Sequence, residues 1–261
     1  MESREILAER SYHELETLLI WFQHQGPTPV IIGGWAVYFY NSYLGSVDID
    51  LVGPSMGGQF DNLIEGFERE RGYEAVAHDP MGFSGSFRKP VKVDGDVKGY
   101  IEIDACTYES DPRTFHEDPD KELPYELCDR PGLTTVLKLD DRLDAYIPRK
   151  SLLFLYKLKA LRDREHDLRT KGPILSPMRR EWLQAKWVKD GSDLMALLDP
   201  EPGRCFVKQS FEVGVFREIV EEYGLQFCLE SVRDLPNMRD SLYLYPDADA
   251  SEVSDWVENL L

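Results

Sequence analysis

The stretch from Val30 to Val52 constrains this chain more than any other, because its hydrophobic pattern changes period twice in a short span. Val30-Ile31-Ile32 is a β-branched run that stops at Gly33-Gly34, and Trp35-Ala36-Val37-Tyr38-Phe39-Tyr40 follows without a polar break. That order predicts a strand, a tight glycine turn and a helix. Val47-Asp48-Ile49-Asp50-Leu51-Val52 then alternates at period two. Alternation predicts a strand with Asp48 and Asp50 on one face and Val47, Ile49 and Leu51 on the other. Such a unit buries its apolar side only against further strands and helices.

The rest of the chain supplies them. Ile6, Leu7, Leu15, Leu18, Leu19 and Phe22 fall at helical spacing and predict a helix over 4–24, stopped by the GPTP at 26–29. A helix over 59–71, a strand over 74–78 and strands over 86–93 and 98–107 around Asp94-Gly95-Asp96 follow. An acidic, proline-bearing loop over 109–126 precedes two strands, 135–139 and 143–147, around Asp140-Asp141-Arg142. Beyond them helices dominate, over 151–169, 181–198, 211–224 and 251–261. The expectation is an α+β fold: a mixed β-sheet core flanked by helices over 1–148, and a mostly helical C-terminal region over 149–261. A chain of 261 residues can bury a sizeable core, and 42% hydrophobic content argues against wholesale disorder.

The opening MESREILAERSYHELE lacks a basic, then apolar, secretion signal, and no apolar run approaches the ~18 residues of a membrane span. A cytoplasmic protein with no membrane partner is expected. Cys106, Cys128, Cys205 and Cys228 are scattered, which points to buried reduced thiols rather than zinc or disulfides.

A net charge of -18 argues against extended nucleic-acid binding, which depends on phosphate neutralisation, and leaves room for a locally docked RNA end. The charge is uneven. Residues 149–190 hold 12 Lys and Arg against 5 Asp and Glu. That segment reads either as a solvated helix face or as a local phosphate-binding wall.

Three features carry chemistry. Gly33-Gly34 lets backbone N–H groups approach a phosphate at a helix start, although a glycine pair is commonly only a turn. Asp48 and Asp50 on one strand face repel each other unless a cation sits between them, and oxygen donors of this kind suit Mg²⁺. Ile101-Glu102-Ile103-Asp104-Ala105 places two more carboxylates on one face and offers a third ligand for a two-metal site. Read singly, each acidic run is equally an exposed strand edge.

Taken in order, these residues resemble the DNA polymerase β-type nucleotidyltransferase superfamily. The GGWA at 33–36 is similar to aminoglycoside and lincosamide nucleotidyltransferases, while Ser46, the KLKALRDR at 157–164 and the KDGSDLMALL at 189–198 resemble the abortive-infection nucleotidyltransferase toxins. The resemblance covers about residues 30–200. It implies a nucleotidyltransferase core in which Gly33, Gly34 and Ser46 hold the triphosphate of a nucleoside triphosphate. Asp48, Asp50 and Asp104 would hold two Mg²⁺ ions, with Glu102 the alternate to Asp104. Asp104 would be the general base, and Lys157 and Arg164, on one helix face, would reach the phosphates. The helical region would complete the nucleotide and acceptor cleft. Lys189 and Asp193, four apart, fit the same similarity or a plain exposed helix pair. The long acidic loop has no counterpart in the resemblance; a lid, an acceptor-recognition element and an insertion all fit it.

The activity implied is Mg²⁺-dependent transfer of a nucleoside monophosphate to an acceptor hydroxyl on a small molecule, an RNA end or a protein, with pyrophosphate leaving. An antitoxin partner belongs to the toxin variant of this reading. Its rival is a non-catalytic nucleotide-binding or partner-binding module of the same fold. The five histidines, at 13, 24, 78, 116 and 166, show no metalloprotease spacing, and neither a serine-hydrolase elbow nor a Walker A loop is present.

Overall fold

Leu15, Leu18, Leu19 and Phe22 are fully buried on one face of α1 (Glu2–Gln25), as their spacing predicts. A computed structural model describes residues 2–75, 87–109, 113–139 and 143–261. The expected turn at 140–142, part of the expected strand at 74–78, Ser86 and residues 110–112 of the acidic loop lie outside the described residues. The chain divides into two units, Met1–Tyr38 with Leu44–Ser110 and Tyr125–Pro148, and Phe39–Tyr43 with Asp111–Pro124 and Arg149–Leu261. None of the described helices is long and apolar enough to cross a membrane.

The fold is α+β. The first unit holds α1, α3 (Gln59–Arg71), most of α2 (Gly33–Tyr40) and a sheet of β1 (Val30–Ile31), β2 (Ile49–Gly53), β3 (Glu74–Ala75), β4 (Phe87–Val93), β5 (Asp96–Thr107), β6 (Thr134–Lys138) and β7 (Asp144–Pro148). The seven strands run in the order β3-β4-β5-β2-β1-β7-β6. The sheet is mixed: β2 is parallel to β5 and β1 to β7, while the remaining neighbours are antiparallel. Parallel neighbours need crossovers, and the long β1-to-β7 and β2-to-β5 connections provide them. Ile49, Leu51, Ile101 and Ile103 supply buried side chains from the two central strands.

The expected strand over 47–52 starts later, at Ile49, so Asp48 sits in a bend just before β2. On the β1 side the ladder ends where the Ile32 N–H donates to the Asp50 carbonyl at 2.9 Å, because the chain then turns into α2. Glu14 ties α1 to α3 and β4: its buried carboxylate accepts from Arg71 at 3.2 and 3.1 Å and from Lys89 at 2.7 Å. Burial alone raises the Glu14 pKa, yet these two cations hold it below its ordinary value.

The second unit is built on α4 (Lys150–Thr170) packed against α5 (Pro177–Leu198). Residues 150–159 of α4 and 190–198 of α5 are buried almost all round, as helices at the centre of a domain must be. Around them lie α6 (Val213–Glu222), α7 (Leu229–Asp234), α8 (Arg239–Leu244) and α9 (Ala250–Leu260). The two six-residue helices escape a periodicity reading, being less than two turns long. Close approach of α8 to α5 depends on Gly191, where a Cβ would lie 2.5 Å from the Ser241 hydroxyl oxygen. Ser241 donates to the Val188 carbonyl at 2.9 Å, and Ser192 donates to the Ser241 carbonyl at 2.9 Å. Cys128 and Cys228 are buried as expected, whereas Cys106 and Cys205 are only half-buried.

Candidate functional site

In the first unit, Asp50 on β2 and Asp104 on β5 are register partners in the parallel ladder, flanked by the pairs Ile49 with Ile103 and Leu51 with Ala105. Register partners on adjacent strands project to the same side of a sheet. Two carboxylates that the sequence separates by a long connection therefore stand beside each other. Asp104 is exposed and Asp50 half-exposed, so the pair faces outward while the intervening isoleucines face inward.

Gly33 explains how the chain passes this point. It opens α2 at a φ of +65°, and a Cβ built there would lie 1.9 Å from Asp50 Oδ2. A side chain is excluded twice, by the left-handed backbone and by the carboxylate it would strike. Gly34 follows as a buried residue in the first turn of α2. Trp35 anchors the same turn, with its indole N–H donating to Ser11 Oγ at 3.1 Å. Gly33→Ala is expected to cost at least about 2 kcal/mol, the left-handed penalty plus displacement of Asp50. Urea denaturation checks this, and a loss below about 0.5 kcal/mol, the range of an ordinary surface change, would contradict it.

Glu102 and Asp104 separate clearly. Arg88, the cross-strand partner of Glu102 on β4, donates from Nε to Glu102 Oε1 at 3.0 Å. Glu102 is thus engaged on β4, and Asp104 is the carboxylate that shares register with Asp50. Ser46 is buried at 7% exposure in the segment that leads to Asp48.

The donor set at this end of β2 and β5 is all oxygen, which is what Mg²⁺ takes. Among the described residues, no three His, Cys, Asp or Glu side chains form a group that could hold a metal ion. Asp48, the third member of the trio expected from sequence, lies in the bend ahead of β2. Mg²⁺ ordinarily keeps water and substrate phosphate oxygens and takes only one or two protein carboxylates. The Asp50–Asp104 pair fits that requirement in chemistry and number.

Lys157 and Arg164 belong to the second unit, where they form a buried charge cluster. Lys157 Nζ lies 2.7 Å from Asp193 Oδ2 and 3.5 Å from Asp190 Oδ1, Lys189 Nζ lies 2.8 Å from Asp193 Oδ2, and Arg164 pairs with Asp190. The Tyr43 hydroxyl donates to Asp193 Oδ1 at 2.6 Å. Lys189 and Asp193 are not an exposed helix pair: the Asp193 side chain is 1% exposed and that of Lys189 14%. Burial pushes Asp193 up, but Lys157 and then Lys189 overcome it and hold the carboxyl at about 2. Burial brings the Lys189 ammonium down to about 8, against the opposing pull of Asp193.

Much of the basic segment over 149–190 is neutralised by pairing. Arg149, Lys157, Lys159, Arg162, Arg164, Lys171 and Lys189 each pair with a carboxylate. Part of that pairing comes from the acidic loop. Arg162 donates to both Glu117 oxygens, at 2.7 and 2.6 Å, the His116 N–H donates to Asp163 at 2.9 Å, and Tyr156 donates to the Pro124 carbonyl at 2.9 Å. With Phe115 and Leu123 buried as well, residues 113–124 are pinned to α4. Sequence reasoning passed over Asp190 and Tyr43. The spacing of Asp190 and Asp193 on one face of an otherwise apolar run was the available signal for the first.

No family model, curated protein or solved structure matches this chain.

Proposed function

We propose that this chain is a nucleotidyltransferase that moves a nucleoside monophosphate from a nucleoside triphosphate to an acceptor hydroxyl and releases pyrophosphate. The observation that carries the reading is the in-register Asp50–Asp104 pair, with the Gly33 backbone set against the Asp50 carboxylate. A glycine turn opening a helix, an Asp-x-Asp strand and a third carboxylate on a later strand are what the resemblance to the polymerase β-type core implies. The mixed sheet is consistent with that core.

In this reading the Gly33-Gly34 turn admits the phosphates, since no Cβ blocks the backbone N–H groups at the start of α2. Asp50 and Asp104 would hold magnesium, with Asp48 close enough in sequence to contribute. When bound, the ion would supply neutralisation of phosphate charge and a lower pKa for the acceptor hydroxyl. Asp104, the more exposed of the pair, accepts the hydroxyl proton as the oxygen attacks the α-phosphorus and the bond to pyrophosphate breaks. Glu102, which accepts from Arg88, is the alternate to Asp104.

The test is label transfer. Each of four α-labelled nucleoside triphosphates is incubated with the protein, Mg²⁺ and a fractionated cell extract. Label in the RNA, protein or small-molecule fraction is the expected result and identifies both the base and the acceptor class. Mg²⁺-dependent triphosphate binding with no label in any fraction would replace this reading with the non-catalytic binding module.

A further inference from the structure

We propose that the second unit carries a pocket for a small organic anion, lined by Lys150. Lys150 is the first residue of α4 and is only 3% exposed, yet its ammonium is poorly matched. Among the described residues Nζ makes one hydrogen bond, to the Asp199 carbonyl at 3.5 Å, and sits 5.8 Å from the centre of the Tyr40 ring. An ammonium has three N–H donors, and a buried donor without an acceptor is costly. The nearest acid, Asp199, attracts the ammonium through its charge but spends its oxygens elsewhere. The Asp199 carboxylate accepts from the Glu201 N–H at 2.7 Å and from the Tyr245 hydroxyl. Burial lowers the Lys150 pKa, with Asp199 and then Cys205 opposing it.

The lysine borders a cavity of about 420 Å³, within the range of small-molecule sites. Its other polar lining comes from Glu201, Cys205, Lys208, Gln209 and Ser210, and Pro200, Pro202 and Val207 supply apolar wall. Gln209 is itself fixed, its side-chain oxygen accepting from the Tyr40 hydroxyl at 2.9 Å and from the Lys150 backbone N–H at 3.2 Å. One buried and one exposed lysine oppose the single carboxylate of Glu201, which is exposed. In a chain of net charge -18, two lysines at one pocket stand out. A carboxylate or phosphate head on Lys150 would give its N–H groups the acceptors they lack, and the apolar wall suits an organic body. Nothing in this pocket depends on the carboxylate pair of the first unit.

Calorimetric titration of the full chain with inorganic phosphate, glucose 6-phosphate and succinate tests the proposal and separates phosphate from carboxylate heads. Saturable one-to-one binding of at least one probe is expected. Lys150→Met should weaken it roughly tenfold or more, the worth of a charge-assisted hydrogen bond, and Lys208→Ala should weaken it less. Lys150→Met keeps the length and packing of the side chain and removes a buried charge. Should it nevertheless not fold, acetic anhydride labelling of the unaltered protein gives the answer: bound ligand is expected to protect Lys150. Failure of all three probes to bind, undiminished binding by Lys150→Met, or unprotected Lys150 in the presence of a bound probe would overturn the proposal.

Discussion

Asp193→Asn is expected to destabilise the second unit by about 3–5 kcal/mol, the usual cost of removing one partner from a buried ion pair. The side chain of Asp193 is 1% exposed and stands between two ammonium groups, Lys157 at 2.7 Å and Lys189 at 2.8 Å. An asparagine keeps the shape and can still accept from Tyr43, so the loss isolates the charge. Both lysines then remain buried with too little negative charge, since Asp190 is shared with Arg164. Urea unfolding measures the effect, and a loss below about 1 kcal/mol, the value of an exposed pair, would show that the cluster is not a buried one.

The triple change Asp193→Leu, Lys157→Met and Lys189→Met is expected to recover most of the loss, because no unpaired charge is left. The acid limb of stability carries the same signature. Because the Asp193 pKa falls from an ordinary 3.8 to about 2 on folding, its contribution is complete above 3.8 and is withdrawn as pH falls through about 2. Asp193→Asn should lack this component of the pH profile.

Much of the first unit was legible because its signals are local. The β-branched run, the glycine pair and the alternating aspartates each announce an element within a few residues, and Leu15, Leu18, Leu19 and Phe22 fix the buried face of α1. The start of β2 was not legible, because alternation alone cannot say where a neighbouring strand stops pairing. The resemblance favoured Asp104 over Glu102 although both alternate on β5; that Arg88 lies across from Glu102 was not legible. The pairing within the 149–190 segment was not legible for a related reason. A count of Lys and Arg does not reveal that the matching carboxylates sit on α5 and on the loop at 113–124, brought in by tertiary packing. Whatever depends on which strand or helix lies alongside is absent from a one-dimensional pattern.

Asp50→Asn and Asp104→Asn are each expected to reduce nucleotidyl transfer by at least about a thousandfold, whereas Glu102→Gln should retain transfer within about tenfold. The difference rests on register. Asp50 and Asp104 are paired across parallel strands, so either amide leaves one carboxylate to face the triphosphate charge alone. Glu102 lies two residues away, outside the Asp50–Asp104 register, and pairs with Arg88 in a part-buried ion pair. The urea midpoint of each amide, measured alongside transfer, separates a loss of chemistry from a loss of folding. The combination of intact folding and lost transfer is what distinguishes a site residue from a structural one. Full activity in Asp50→Asn would remove the carboxylate pair from the mechanism. Equal loss in Glu102→Gln and Asp104→Asn would mean instead that the Arg88 pairing is part of the working site, with Glu102 holding the end of β5 where Asp104 must stand.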